Sequence, residues 1–272
     1  MAEIVFDIGM HKGEDTSYYL SQGYRVVAIE ANPDLIKFCE EEFISFIQSG
    51  LLTIIHGAIT DSNSKTVKFF VNNRKSEWGT VKPEWANRNS KLGAESDVIE
   101  VPVVDIEEIL LLYGCPLYMK IDIEGMDLAC LKKIAETTFR PRYLSIESEK
   151  RHWELLELEF HILSQMGYQH FALQQMANIN RIKTPKSKNH QIILQSKFSS
   201  KSSGPFGEDL TNKWLNKEET IHCYRRVFKM YKYFGDFSLV RKLPFSRHIL
   251  ALLGKLFRTP LPGWYDTHAK LY

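Results

Sequence analysis

The sequence predicts an α/β fold, a doubly wound and mostly parallel sheet with helices on both faces, followed by a helical C-terminal appendage. Short apolar runs alternate with segments of helical periodicity over roughly the first 175 residues, and a glycine-rich turn follows the first run. A Ser-, Lys- and Gly-rich stretch over 196–209 separates this part from the rest. We therefore expect one domain over 1–196 and a basic, mostly helical extension over 197–272.

The predicted elements follow one another in regular order. A strand over 5–8 precedes a helix that begins at Asp15 or Thr16 and ends before Gly23, and a second strand ends at Glu30. Asn32-Pro33 opens the next helix. The remaining predicted elements are strands over 51–56, 66–71, 98–103, 117–122 and 143–147, helices over 106–113, 126–135, 153–166, 214–234 and 247–257, and a closing hairpin of 168–174 with 191–195.

The charge of the chain is divided unevenly. Residues 181–272 contain 18 Lys and Arg against 6 Asp and Glu, which leaves 17 basic and 27 acidic residues in 1–180. A basic region indicates an anionic acceptor or carrier, although it is equally typical of a face that merely neutralises an acidic one. The helix around 247–258 has an apolar face with basic flanks, so contact with a membrane surface stays open, but packing on the core is the more common use of such a helix.

Cysteine usage and hydropathy bear on the compartment. The four cysteines are widely spaced, without a C-x-x-C pair, which is typical of free thiols rather than of a zinc site or a disulfide framework. No run of eighteen apolar residues occurs, and the first strand begins within a few residues of Met1. We therefore expect a cytoplasmic protein without a signal peptide.

The turn after the first strand has the composition of a nucleotide-binding loop. Gly9 and Gly13 permit close approach of the backbone to a ligand, and Glu30 can accept both hydroxyls of a ribose. Asp7 would repel the pyrophosphate of a dinucleotide, and the G-x-x-x-G spacing differs from G-x-G-x-x-G. The carboxylate favours instead the sulfonium and ammonium of S-adenosyl-L-methionine, so the sequence predicts a methyl-donor site.

Three sequence blocks are distinctive: D-I-G-x-H-x-G-E-D-T-x-x-Y-L over 7–20, V-A-I-E-A-N-P over 27–33 and M-K-I-D-I-E-G over 119–125. Together they resemble the FkbM-type S-adenosylmethionine-dependent methyltransferases, and the likeness covers about residues 3–175. The resemblance implies a class I methyltransferase fold, with a Rossmann-like sheet of seven strands, and methyl transfer, typically to a hydroxyl on a sugar or natural product. It does not name the acceptor.

The resemblance also implies positions for the cofactor. Thr16 is expected to hydrogen-bond the methionine carboxylate, and Ala58 with Ile59 to line an adenine slot just past the third strand, although small residues there are equally typical of a plain turn. The expected cofactor-binding residues are Asp7, Gly9, Gly13, Thr16, Glu30, Ala31, Asn32, Ala58 and Ile59.

Transfer to a hydroxyl needs a group that takes its proton, and Asp122 at the end of a buried strand is the best placed candidate. Glu124 is the second, and the two carboxylates could share a raised pKa or hold a divalent cation, or else bond backbone and cap the next helix. His11 is the third, although a lone histidine is more often structural. Lys120 is expected to be a buried partner of either acid, and no metal ligand is assigned.

Six further residues are candidates for acceptor binding: Ser76, Trp78, Glu147, His152, Trp264 and His268. Trp78 stands between small residues, as carbohydrate platforms often do, and a core tryptophan is the competing interpretation. The tail around Trp264 closes over the acceptor or simply buries its aromatic side chains. The extension is expected to pack on or near the active-site cleft.

Other classes of function remain. A nicotinamide-dependent oxidoreductase is disfavoured by Asp7 and the glycine spacing, and a non-catalytic cofactor-binding scaffold is disfavoured by the intact acids. Lys12, Asp122 and Glu147 could belong to a Lys-Asp-Lys-Glu tetrad, which would indicate an RNA ribose methyltransferase. No motif defines the position of the second lysine, so nucleic acid is a minority interpretation. The expected acceptor is a small molecule or a carbohydrate. The oligomeric state is not predicted.

Overall fold

The computed structural model describes residues 2–62, 64–188, 192, 196–210, 212–235, 238–256, 261 and 264–272. The strands are β1 (Ile4–Ile8), β2 (Arg25–Glu30), β3 (Leu52–His56), β4 (Thr66–Asn72), β5 (Ser96–Pro102), β6 (Tyr118–Ile121), β7 (Tyr143–Glu147), β8 (His170–Gln175) and β9 (Tyr265–Lys270). The helices are α1 (Glu14–Ser21), α2 (Pro33–Glu42), α3 (Ile44–Gln48), α4 (Pro83–Lys91), α5 (Ile106–Tyr113), α6 (Asp127–Glu136), α7 (Trp153–Gln165), α8 (Lys217–Phe234) and α9 (Ser246–Leu256).

The strands form a seven-stranded sheet in the order β3-β2-β1-β6-β7-β9-β8, and β4 and β5 form a separate antiparallel pair. β1 lies between β2 and β6, both parallel to it, and its register places Asp7 beside Ala28 and Lys120. Val5 and Phe6 are fully buried, as expected of a strand covered on both faces by helices. The predicted seven-stranded, mostly parallel sheet is confirmed, and the loops after β1, β2 and β6 leave from the same edge.

The chain divides into two compact units, 1–146 with 185–195 and 147–184 with 196–272. The chain passes from the first unit to the second after residue 195, next to the boundary predicted after residue 196. It also passes between them after Ile146, and no boundary was predicted there. Within the described ranges, no helix has the length and apolar character needed to cross a membrane. The packing of the extension on the cleft stays a prediction.

One predicted helix start needs correction. The N-cap of α1 is Gly13, not Asp15 or Thr16, because these two side chains take part in interactions described below. Asp105 is the N-cap of α5 and accepts from the N–H of Glu107 at 2.9 Å.

The strand that pairs with β8 is β9, in antiparallel register. The predicted partner was 191–195, of which 191 and 193–195 lie outside the described residues, as do 257 and 258 of the predicted helix at 247–258 and 262–263 of the aromatic tail. The part of that tail from Tyr265 onward is a strand rather than a loop.

Candidate active site

A buried cluster of charges lies at the carboxyl ends of β1 and β6. Lys120 Nζ lies 3.2 Å from Asp7 Oδ1, 3.4 Å from Asp15 Oδ2 and 3.7 Å from Asp122 Oδ2. It also donates to the carbonyl oxygen of Gly9 at 3.0 Å. Asp7, Asp15 and Lys120 are buried, but the side chain of Asp122 is 40% exposed. The expectation that Lys120 is a buried partner of an acid is confirmed.

The charges in this cluster do not balance. Burial opposes the charge on Lys120, yet Asp7, Asp15 and Asp122 together raise the pKa of its ammonium well above the ordinary value. Three carboxylates around one ammonium leave a formal net charge of −2 when all four groups are ionised. A negative surplus at the edge of a sheet attracts cations and repels pyrophosphate, which favours the sulfonium and ammonium of the expected methyl donor.

Two glycines shape the turn between β1 and α1. Gly9 has a φ of 90°, and a Cβ there would lie 1.9 Å from the carbonyl oxygen of Asp122. Gly13 has a φ of 77°, and its Cβ would lie 2.4 Å from the ring of Phe43. Because an L side chain fits neither the backbone conformation nor the space, both positions need glycine. The loop after β1 therefore packs tightly against the loop after β6.

Glu30 at the end of β2 is held by the backbone around it. Its carboxylate accepts from the N–H groups of His11 at 2.8 Å, Ala31 at 2.9 Å and Asn32 at 2.8 Å. Burial raises the pKa of Glu30, and the N–H donors of Asn32, His11 and Ala31 oppose that rise. A carboxylate has about four lone-pair positions, so three donors fix its orientation and leave capacity for a ribose hydroxyl. Asn32 also caps α2 through the N–H of Asp34 at 3.0 Å.

Some expected cofactor residues are engaged inside the fold. Thr16 Oγ1 donates to Asp7 Oδ2 at 2.7 Å, and neither residue is exposed. Ala58 donates its N–H to the carbonyl oxygen of Pro102 at 2.9 Å, and Ile59 is buried. Thr16 and Asp7 therefore stabilise the charge cluster from within, and the ligand contacts expected of these four residues stay predictions.

His11 links two segments that are far apart in sequence. It adopts a left-handed φ of 52°, its Nε2 is 2.7 Å from Ser76 Oγ, and its Nδ1 is 3.1 Å from Glu14 Oε2. The three side chains form a chain of hydroxyl, imidazole and carboxylate, in which the carboxylate orients the ring. Left-handed backbone at a non-glycine residue is a strain that occurs often at functional sites. The sequence singled out His11 and Ser76 but missed Glu14, which the E-D-T block offered as a helix-start acid.

The loop after β6 is held by Asp127, which was not among the predicted site residues. Asp127 accepts from the N–H groups of Ile123 at 2.9 Å and Gly125 at 3.0 Å. The alternative in which Glu124 caps the next helix is wrong, because the N-cap of α6 is Met126 and no side chain forms a hydrogen bond at that cap. Glu124 itself has a left-handed φ of 45°, and its carbonyl oxygen accepts from Thr80 Oγ1 at 2.7 Å.

An insertion between β3 and α5, made of β4, β5, a 3-10 turn (Ser76–Trp78) and α4, contacts this loop. Trp85 lies against Gly125, where an added Cβ would be 2.9 Å from its ring. Lys75 Nζ lies 3.8 Å from the ring centroid of Trp78, and the guanidinium carbon of Arg88 lies 4.4 Å from that of Trp85. The sequence indicated Trp78 and missed Trp85, because K-P-E-W reads only as a helix start.

Four predicted acceptor-binding residues belong to the second compact unit. Glu147 accepts from Lys150 Nζ at 2.5 Å, and the exposed His152 forms an ion pair with Glu154 at 3.6 Å. Trp264 is 42% exposed. His268 is buried in β9, and burial lowers its pKa to about 3. Their contact with an acceptor stays a prediction.

In the part of the chain that the structure describes, no group of three or more His, Cys, Asp or Glu side chains is arranged to hold a metal ion. The carboxylates of the site are instead grouped around Lys120.

A family model described as "Methyltransferase FkbM domain" matches residues 7–170. The chain belongs to the FkbM methyltransferase family. Membership confirms the resemblance seen in the three sequence blocks, and with it the class I methyltransferase fold and S-adenosyl-L-methionine as the methyl donor. The matched residues include the whole charge cluster and the turn at Gly9 and Gly13.

Among solved structures, this chain is similar to a methyltransferase FkbM from Methylobacillus flagellatus. The two have 20% identity and a TM-score of 0.40, over 64% of this chain and 40% of that one. The chain therefore spans well under two thirds of the length of that protein. An S-adenosylmethionine-dependent methyltransferase from Archaeoglobus fulgidus matches at 14% identity and a TM-score of 0.38, over 99% of this chain and 86% of that one.

A third similar structure, at 10% identity and a TM-score of 0.37, is an S-adenosylmethionine-dependent methyltransferase from Geobacter sulfurreducens in complex with S-adenosyl-L-homocysteine; the match covers 98% of this chain and 84% of that one. No functionally curated protein matches the chain.

Proposed function

We propose that this FkbM methyltransferase methylates a hydroxyl on a sugar, glycan or natural product. The observation that carries the proposal is the carboxylate of Asp122, which is 40% exposed at the carboxyl edge of the sheet while Asp7 and Asp15 beside it are buried. Ligands of open α/β sheets bind at that edge. Asp122 is therefore the acid of the cluster that an acceptor hydroxyl can reach.

The cofactor fits the residues around this edge. Gly9 and Gly13 leave space where a side chain would collide, Glu30 keeps capacity for a ribose hydroxyl, and the cluster is negative overall. When bound, S-adenosyl-L-methionine supplies an electrophilic methyl group on its sulfonium. Ala31 and Asn32, whose N–H groups fix Glu30, lie beside the ribose in this arrangement.

Asp122 acts as the general base or as the group that orients the hydroxyl. Lys120 lies 3.7 Å from its carboxylate and holds it in place. A positioned base of this kind contributes about 10²- to 10⁴-fold to a rate. His11, oriented by Glu14 and already 2.7 Å from the hydroxyl of Ser76, is the second group that can accept a proton. Glu124 is the third candidate for the base, because it lies in the same loop after β6 as Asp122.

The insertion supports a polar, anionic acceptor. Trp78 and Trp85 are aromatic side chains of the kind on which sugar rings pack, and Lys75 and Arg88 lie over one face of each ring. This combination suits a carbohydrate that carries a negative charge. The unpaired state of all four cysteines, including Cys39 and Cys130, supports a reducing, cytoplasmic location.

The test combines binding with turnover. Calorimetry with S-adenosyl-L-homocysteine, and with NAD as the control, establishes the donor site before hydroxylated carbohydrates are screened for release of S-adenosyl-L-homocysteine. Asp122→Asn should keep the affinity for S-adenosyl-L-homocysteine and lose turnover by about 10²-fold or more. Asp97→Asn, at an exposed acid of the insertion, is the matched control and should behave as wild type.

Normal turnover by Asp122→Asn would remove Asp122 from the mechanism and leave His11 as the base. Binding of NAD alone would favour the oxidoreductase alternative, and binding of neither ligand would favour the non-catalytic scaffold.

A further inference from the structure

A cavity of about 810 Å³ lies within the second compact unit. None of its lining residues has a role in the methyl transfer proposed above. It is formed by the start of α7 with the segment before it, one face of α8, and the turn that follows α8. Six of its twelve lining residues are lysine or arginine, and among the described residues that line it none is acidic. Its volume lies in the range of small-molecule sites, roughly 300–1,000 Å³.

The positive charge is concentrated on α8. Arg225, Lys229 and Lys232 are spaced by four and three residues and Arg226 adjoins Arg225, so the four cations line one side of the helix. With His222 they cover about 15 Å of helix axis, which is enough for two phosphate groups and an attached ring system. Within the described ranges, no carboxylate forms an ion pair with Arg225, Arg226, Lys229 or Lys232. These exposed cations are therefore not neutralised inside the unit.

The aromatic wall of the cavity is made by Trp153 at the start of α7 with Phe228 and Tyr231 of α8. Trp153 packs edge-on against Phe228, with ring centroids 5.0 Å apart, and Tyr231 lies 5.9 Å from Lys150 Nζ. Faces of tryptophan and tyrosine bind planar rings by stacking, while guanidinium and ammonium groups bind phosphate. A ligand that contacts both the basic face of α8 and this aromatic wall therefore contains phosphates and a planar ring.

Ser238 adds an independent observation. It lines the cavity, it is only 8% exposed, and its Oγ is buried without a hydrogen-bond partner among the described residues. A buried hydroxyl without a partner costs free energy. An oxygen of a ligand in the cavity would provide the missing partner, so the position of Ser238 also indicates a polar ligand.

We propose that this cavity binds a nucleoside diphosphate, with its phosphates on the basic face of α8 and its base against Trp153 and Tyr231. The same phosphate chemistry occurs in free pyrophosphate and in anionic lipid headgroups, and only the aromatic wall distinguishes these sources. The proposal does not depend on the identity of the methyl acceptor.

The test is calorimetry of the full chain with uridine 5′-diphosphate, in the presence of saturating S-adenosyl-L-homocysteine so that the donor site is occupied. Uridine diphosphate should bind, and inorganic pyrophosphate should bind about tenfold or more weakly because it has no ring to stack. The double variant Arg225→Glu/Lys229→Glu should weaken uridine diphosphate by tenfold or more, since both side chains are exposed and their replacement leaves the core intact. Lys217→Glu, on the same helix but outside the cavity, should bind as wild type.

Two further variants examine the aromatic wall and the buried hydroxyl. Trp153→Ala should reduce the affinity for uridine diphosphate to that for pyrophosphate, and Ser238→Ala should weaken it a few-fold without lowering the midpoint of thermal unfolding. Three results would overturn the proposal: absence of binding by uridine diphosphate, equal affinity for pyrophosphate, or an unchanged affinity in the double variant. Binding to vesicles of phosphatidylcholine with phosphatidic acid that uridine diphosphate does not displace would assign the basic face to a lipid headgroup and would also overturn it.

Discussion

The two compact units bury their polar groups in different ways. In the first, a buried cluster of opposite charges stands out, with Lys120 beside Asp7 and Asp15 at the edge of the sheet. In the second, the buried groups are mainly hydroxyls: Tyr224 and Ser148 both hydrogen-bond Thr267, at 2.6 and 2.5 Å, and Ser148 Oγ donates to Glu159 at 2.7 Å. Arg225, Arg226, Lys229 and Lys232 of the second unit lie instead on its surface, along α8 at the cavity.

This difference shows what buried charge is used for in each unit. The charges around Lys120 converge where the cofactor and acceptor are expected, because a negative surplus there favours a cationic ligand. The hydroxyl cluster in the second unit fixes β9 through Thr267, which is a structural task that needs direction but no net charge. Four substitutions test the comparison, in order of decreasing effect.

The largest effect is expected at the charged cluster. Lys120→Met leaves Asp7 and Asp15 buried without a cation, and removing one partner of a buried ion pair costs about 3–5 kcal/mol. Urea denaturation should show this loss in the free energy of unfolding. Lys132→Met, at an exposed lysine on α6, is the control and should stay within about 0.5 kcal/mol of wild type. A loss below about 1 kcal/mol in Lys120→Met would mean that the cluster is not held by its charges.

The second effect concerns acid stability in the other unit. Burial lowers the pKa of His268 to about 3, below its ordinary value of 6.5, so the folded state holds this ring neutral. Its contribution to stability is present above pH 6.5 and is lost as the pH falls, by about 2 kcal/mol at pH 5.

The variant His268→Phe should therefore lose less stability than wild type between pH 7 and pH 5 in guanidinium denaturation. His170→Phe, at an exposed position of the neighbouring strand, should keep the wild-type pH dependence. Parallel pH dependence in wild type and His268→Phe would contradict the burial of a neutral imidazole.

The third effect separates binding from stability at Glu30. Glu30→Gln should reduce the affinity for S-adenosyl-L-homocysteine by about tenfold, because a neutral amide is a weaker acceptor for ribose hydroxyls. The pKa of Glu30 is raised by burial, so its ionisation weakens the folded state as the pH rises above 4.5. The variant should therefore gain stability relative to wild type as the pH rises. Glu41→Gln, at an exposed position of α2, is the control, and equal affinity in both variants would remove Glu30 from the cofactor site.

The smallest effect is expected in the hydroxyl cluster. Tyr224→Phe removes one hydrogen bond to Thr267, which retains Ser148 as a partner, so the loss should be about 1 kcal/mol. Tyr233→Phe, on the exposed side of the same helix, should have no measurable effect. If Tyr224→Phe lowered the free energy of unfolding by about 3 kcal/mol or more, the hydroxyl cluster would matter as much for stability as the charged one. The difference drawn between the two units would then be wrong.

Several residues of the candidate site could be placed at one edge of the sheet from the sequence, because they lie at the ends of strands that the sequence marks clearly. Asp7, Glu30 and Asp122 each follow an apolar run, and parallel strands bring such ends to one edge. Trp85 could not be recovered, because Gly125 becomes its neighbour only when separate loops meet. Glu14 was missed although its partner His11 is only three residues away. Asp127 was missed because its carboxylate accepts from the N–H groups of Ile123 and Gly125, in the loop before the helix, and no sequence motif marks such a bond.

The sequence by itself determined the class of fold, the family and the acidic edge of the sheet. These rest on local periodicity and on residues whose conformation is set by their neighbours, such as Gly9 and Gly13. Only the tertiary structure decided that 265–270 is a strand paired with β8, that His11 meets Ser76, and that α8 and Trp153 enclose a basic cavity. The physical reason is that these contacts join segments 65 or more residues apart, where burial and pairing override the local preference of polar sequences such as Y-D-T-H-A-K.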